Sequence, residues 1–144
     1  MMTCYNRSVL ELEPWDPAAR GLREHVRQVA GALGCTGDAF LVQTEEPVSV
    51  YLPLEQRLDG LDAALLWDPE HGWAAAVEDG GESHTVSYLG AALPEPTVVA
   101  AFVADLAAGR PAGRVAPPVC NVTRSDLAAL HRENRRSRAL LSTH

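Results

Sequence analysis

Lysine is missing from the chain: across 144 residues all twelve basic side chains are arginine. Its absence removes Schiff-base chemistry, a lysine general base and the lysine of a phosphate-binding P-loop. Cysteine is scarce. Cys4, Cys35 and Cys120 are odd in number and include no C-x-x-C pair, which excludes a disulfide framework and a cysteine-based zinc site and reads as three reduced thiols. No basic group or glycine-rich turn flanks them to favour a thiolate nucleophile. No stretch approaches the roughly 18 apolar residues of a membrane helix. The first residues, Met1-Met2-Thr3-Cys4-Tyr5-Asn6-Arg7, lack the charged flank and apolar run of a secretion signal. The expectation is a cytoplasmic protein with no membrane partner. Enzyme signatures are also missing: there is no G-x-S-x-G elbow, H-E-x-x-H pair or G-x-G-x-x-G loop, and Ser83 and Ser87 have no triad context. No cofactor is implied, and a non-enzymatic role is favoured.

What the chain does contain is ordinary core-building material, 47% hydrophobic and 22% charged, in a length suited to one domain. Asp16-Pro17 is a helix start, since aspartate caps free N–H groups and proline suits the first helical position. Leu22, Val26, Val29, Ala30 and Leu33 then recur at helical spacing until Gly34, predicting a first helix over about 17–33, with His25 on its flank. After Phe40-Leu41-Val42 the period changes. Val48, Val50 and Leu52 alternate as in a strand, and Ala63–Trp67 and Trp73–Val77 flank the turn Asp68-Pro69-Glu70-His71-Gly72. A further strand, Ser83–Leu89, follows Asp79-Gly80-Gly81-Glu82. Pro94-Glu95-Pro96 opens a second helix with Val98, Val99, Phe102, Val103 and Leu106 on its stripe, closed by Gly109. Prolines crowd residues 110–123, and capping residues before Asp126 introduce a third, arginine-rich helix to about Leu141.

These elements predict an α+β domain: an antiparallel meander of four or five strands, two helices packed on one face in the order α-β-β-β-β-β-α, and a C-terminal helical arm. The organisation reads as an N-terminal arm (1–15), the α+β core (16–109), a proline-rich linker or strap (110–123) and an arginine-rich helix or tail (124–144). Two helices cannot cover both faces of the apolar central hairpin. The uncovered face, expected to include some of Trp67, Trp73, Val77 and Tyr88, would be an interaction surface that a symmetric homodimer buries.

The densest cluster of chemistry is the central turn. Asp68, Glu70 and His71, joined by His84 from the neighbouring strand, could hold a metal or supply an acid and a base; turn chemistry accounts for the same residue types without any ligand. The stretch Ala64-Leu65-Leu66-Trp67-Asp68 with His71-Gly72-Trp73-Ala74 resembles the core signature of an actinobacterial domain-of-unknown-function family. The likeness extends to Tyr88-Leu89-Gly90, Pro94-Glu95-Pro96-Thr97-Val98, Phe102–Leu106 and Gly109-Arg110-Pro111, about residues 18–130. It implies no activity and transfers no functional residue.

Charge is the second feature. Residues 124–144 hold five arginines against Asp126 and Glu133, a local +3, while the other 123 residues total −10, giving the net −7. Arg132, Arg135, Arg136 and Arg138 therefore form a candidate contact surface, either for the acidic body of this chain or a partner, or for phosphates. The favoured reading is a protein-interaction or regulatory module that associates with itself or another protein. The runner-up is a small-molecule-binding protein or small enzyme with a pocket near the Asp68–His71 turn. Nucleic-acid binding through the tail ranks third, because an acidic body repels the phosphate backbone.

Overall fold

Asp16 opens α1 (Pro17–Ala32) by accepting the Ala18 N–H at 3.0 Å, with Pro17 in the first turn. The helix stops where Gly34 takes φ +78°, so that Gly34 and Cys35 donate back to the Gly31 and Ala30 carbonyls. The computed structural model describes residues 12–13, 15–35, 40–45 and 47–141, and the side chains of these up to 137. Cys4 and His144 fall outside it, as do most of the expected N-terminal arm and the side chain of Arg138.

The sheet is a five-stranded antiparallel meander in the order β1 (Leu41–Gln43), β2 (Ser49–Pro53), β3 (Asp62–Asp68), β4 (Gly72–Asp79), β5 (Glu82–Tyr88). The three hairpins from β2 to β5 are closed by residues that tolerate positive φ, Gly72 among them at the β3–β4 tip. Asp59-Gly60 (φ 53° and 75°) turns the chain between Leu58 and Leu61 on the way from β2 to β3, and Gly80-Gly81 (φ 61° and 87°) joins β4 to β5. The Asp59-Gly60 signal stands in the sequence and marks a hairpin tip that the strand pattern alone passes over.

Strand register sorts the side chains into two unlike faces. Val50, Trp67 and Trp73 lie in one cross-strand row, Leu52, Leu65 and Ala75 in the next, and Ala63 with Val77 beyond. This bulky face packs into a single core with Leu22, Val26 and Val29 of α1 and Val99, Phe102 and Val103 of α2 (Pro96–Ala107). Both helices thus lie on the same face, as the patterning predicts. The expectation that Trp67 and Trp73 belong to an exposed face is corrected: they are 1% and 0% exposed. The helices cover the face with the larger apolar area, and those indoles supply much of it.

Residues 110–123 form an ordered strap. Arg114 and Tyr88 exchange backbone hydrogen bonds at 2.8 Å, Ser87 donates its hydroxyl to the Ala112 carbonyl, and Cys120 and Val122 donate N–H to Glu70 and Pro69 at 2.6 and 2.7 Å. The strap delivers the chain to α3 (Arg124–Leu141), which docks along α1 and sends Leu127 into the common core. The arginine-rich end is therefore an integral third helix.

The α1–α3 crossing is close because Gly21 has no side chain: a Cβ there would overlap the Leu127 carbonyl oxygen. Alanine normally stabilises a helix interior over glycine by about 1 kcal/mol. Here Gly21→Ala reverses that sign and costs about 1–3 kcal/mol through overpacking, measured as a lower urea midpoint. An unchanged or raised midpoint contradicts the crossing.

Candidate functional site

Three places gather polar or exposed side chains. At the β3–β4 tip, Asp68 Oδ1 accepts the N–H groups of Glu70 and His71 at 2.9 and 2.8 Å. The His71 ring sits between two carboxylates, Nδ1 at 3.2 Å from Asp68 Oδ1 and Nε2 at 3.3 Å from Glu70 Oε2, with the Tyr88 ring 6.1 Å away. Gly72 closes the turn at φ +75°, where any Cβ would overlap the Ala91 backbone. Three of the four predicted ligands, Asp68, Glu70 and His71, are thus brought together.

His84 is not with them. It pairs with Val77 at the far end of β4 and has Glu82 as its neighbour at 3.7 Å. Five residues of strand separate Val77 from Gly72, about 17 Å at the usual rise. Among the described residues no group of three or more His, Cys, Asp or Glu side chains is placed to hold a metal ion. The polar atoms of the tip serve the turn, and its carbonyls anchor the strap.

Cys120 donates its N–H to this same turn. Burial first, and then the Asp68 carboxylate, push its thiol pKa up, against the opposing Arg114. Burial, with Glu55 adding, does the same for Cys35. Both thiols therefore resist forming the thiolate that nucleophilic chemistry needs.

The second place escaped the sequence pattern. Neighbours Glu24 and His25 are both buried, which corrects the flank position expected for His25. Trp73 donates its indole N–H to His25 Nε2 at 3.0 Å, tying α1 to the sheet. Glu24 Oε1 lies 2.8 Å from His131 Nδ1 of α3, with both side chains 11% exposed. Gln28 donates to Asn134 Oδ1 at 3.3 Å one turn on, and Arg124 pairs with Asp16 at the start of both helices. The spacing Asp16, Gly21, Glu24, Gln28 marks a stripe distinct from the apolar one, and only the docking of α3 gives it meaning.

The third place is the helix-free sheet face. Leu41, Tyr51, Leu66, Ala74 and Tyr88 are cross-strand partners in turn, so one row crosses all five strands and ends against Arg114. Pro53, Ala64, Ala76 and Thr85 form the next row. Tyr51 donates its hydroxyl to Glu78 Oε1 at 2.9 Å. By register this path crosses β3 at Ala64, which explains why Ala64 is 1% exposed with no helix above it. The hydrogen bond, followed by burial, raises the Tyr51 pKa. Tyr88 is half-buried on this face, opposite the tryptophans. Arg132, Arg135 and Arg136 are exposed on α3.

A family model described as a family of unknown function (DUF6292) matches residues 25–105. No curated protein and no solved structure matches the chain. No helix among the described residues is long and apolar enough to cross a membrane.

Burial pulls the His25 pKa from its ordinary 6.5 down to about 4. The unfolded chain takes up a proton that the native state refuses. His25 therefore contributes stability that is complete above pH 6.5 and lost as pH falls toward 4, on the order of 3 kcal/mol. His25→Gln, which keeps an acceptor for Trp73, should flatten the fall in urea midpoint between those pH values. Because Glu24 and His131 remain in both proteins, identical pH profiles would show that His25 does not carry the effect.

Proposed function

Since the chain belongs to this family of unknown function, whose matched stretch takes in the whole sheet but neither the strap nor α3, we propose that it is a non-enzymatic protein-interaction or regulatory module that self-associates as a symmetric homodimer through its helix-free sheet face. The observation carrying the reading is the cross-strand row Leu41–Tyr51–Leu66–Ala74–Tyr88. Leu41 is 70% exposed, and Tyr51, Leu66 and Tyr88 are half-buried. Asp68 lies beside this row, and Asp62 and Glu78 pair beyond the alanine row, so an apolar centre has a polar rim, the anatomy of a protein interface. Ala64, Ala74 and Ala76 are already buried beneath this surface, so a second sheet would rest on Leu41, Tyr51, Leu66 and Tyr88, and a two-fold axis through the row makes the patch its own complement. An actinobacterial setting agrees with the alanine- and arginine-rich, lysine-free composition.

Sedimentation velocity of the full chain should show a reversible dimer. From Leu41 to Tyr88 the chain carries ten acidic residues and one arginine, a charge of −9. Pairing two such sheets opposes like charges, so added salt should tighten the dimer. Leu66→Arg should weaken it by about 30-fold or more, as for a central interface residue, with an unchanged circular dichroism spectrum. A strict monomer at high concentration, or a dimer indifferent to Leu66→Arg, overturns the reading.

A further inference from the structure

We propose a second binding surface, independent of the sheet face: the outward side of the α1–α3 pair, which grips the phosphate backbone of double-stranded nucleic acid. α1 and α3 together hold eight arginines against Glu24, Asp126 and Glu133, a net +5 in a chain of net −7. The tail does not fold over the acidic sheet to neutralise itself; it docks against a helix that already presents Arg20, Arg23 and Arg27 to solvent.

Contacts fix how the two rows lie. Asp16 meets Arg124, Glu24 meets His131 and Gln28 meets Asn134, so positions rise together and the helices run parallel. At 3.6 residues per turn, Arg20, Arg23 and Arg27 share one stripe, turned away from Leu22, Val26 and Val29 in the core. With Leu127, His131 and Asn134 facing α1, the same geometry puts Arg124, Arg132 and Arg135 on the bordering outward side of α3. Asp126 and Glu133 fall on the opposite flank. Arg20 to Arg27 spans about 10 Å along the axis, and packed helices lie about 8–10 Å apart. The result is a grid of guanidinium groups on two rigid elements.

Two further observations select the partner. Arg20, Arg23, Arg132, Arg135 and Arg136 are exposed and make no ion pair among the described residues, so their charge is available. The large hydrophobic residues exposed on the described surface, Trp15, Leu41, Val86, Val98, Val115 and Val119, include none from α1 or α3. Protein interfaces and membrane-surface helices need an apolar component. Nucleic-acid interfaces are polar and strongly positive instead. A duplex presents about one negative charge per 1.7 Å of axis, and arginine matches phosphate geometry with paired donors. The −9 sheet, on the far side of the core from this grid, repels the same polyanion and orients the encounter. Readout of base sequence is not implied, since backbone contacts position without specifying.

The test is fluorescence anisotropy of a labelled mixed-sequence DNA duplex with the full-length protein. Exposed Trp15, beside the Asp16–Arg124 pair while Trp67 and Trp73 are buried, serves as an intrinsic second reporter. Engagement of about five phosphates predicts a loss of affinity of 10²–10³-fold between about 50 and 200 mM salt. Arg20→Gln with Arg23→Gln on α1, and Arg132→Gln with Arg135→Gln on α3, should each lower the salt slope by about two phosphates' worth. Arg57→Gln in the β2–β3 connection should leave it unchanged. The salt response is opposite in sign to that of the dimer, and these variants leave the Leu66 face intact, so the two readings fail separately. No binding at low salt, a slope insensitive to the α1 pair, or tighter binding to anionic phospholipid vesicles than to DNA would each overturn the proposal.

Discussion

Two indoles that face each other across the central hairpin organise the molecule. Trp67 and Trp73 are cross-strand partners and both are buried, so each carries an N–H into the core that must find an acceptor. Trp67 donates to the Ala92 carbonyl at 2.8 Å, in the segment leading to α2; Trp73 donates to His25 of α1. One apolar pair thereby fixes the position of both core helices, on the same face of the sheet. The tip between the indoles is bound by the same arrangement. Asp68 folds it, Gly72 lets Ala91 approach, and the carbonyls of Pro69 and Glu70 take the strap.

From that one-sided packing follow the two surfaces the molecule presents. Helices on the tryptophan face leave the alanine face without a helix, and its larger side chains, Tyr51, Leu66 and Tyr88, stand among the alanines. The outermost helix pair carries its arginines outward, because Glu24 and His131 occupy the seam between them. Acidic residues collect in the sheet and its turns, basic ones on α1 and α3. The charge division of the sequence, body against tail, becomes a division between layers, and it joins Arg20, Arg23 and Arg27 to a tail about a hundred residues away.

Much of the fold was legible because it is written in local signals. The Asp16-Pro17 start, the Gly34 stop, the period-two strands and the glycine-rich turns each act within a few residues, and the structure places elements where these signals do. The short connections left an antiparallel meander as the only economical arrangement. The site was less legible. Asp68 and His71 adjoin in sequence and in space, but His84 sits on the strand beside theirs at the wrong end of the register, and no pattern in Ser83–Tyr88 says which residue meets Gly72. Trp67, Trp73 and Tyr88 looked alike as large aromatics; a bulge between Ala75 and Ala76 and the parity of the pairing put Tyr88 on the other face.

By itself the sequence determined the element types, their order, the scarcity of nucleophilic and lysine chemistry, and the total charge, since all of these depend on composition or on neighbours along the chain. Tertiary structure alone decided which face the helices cover, that Glu24 and His25 turn inward to different partners, and that two distant arginine segments share one surface. Those outcomes rest on contacts between residues far apart in the chain, where the fit of Gly21 under Leu127 and the need of a buried N–H for an acceptor select among arrangements that local preference leaves equal.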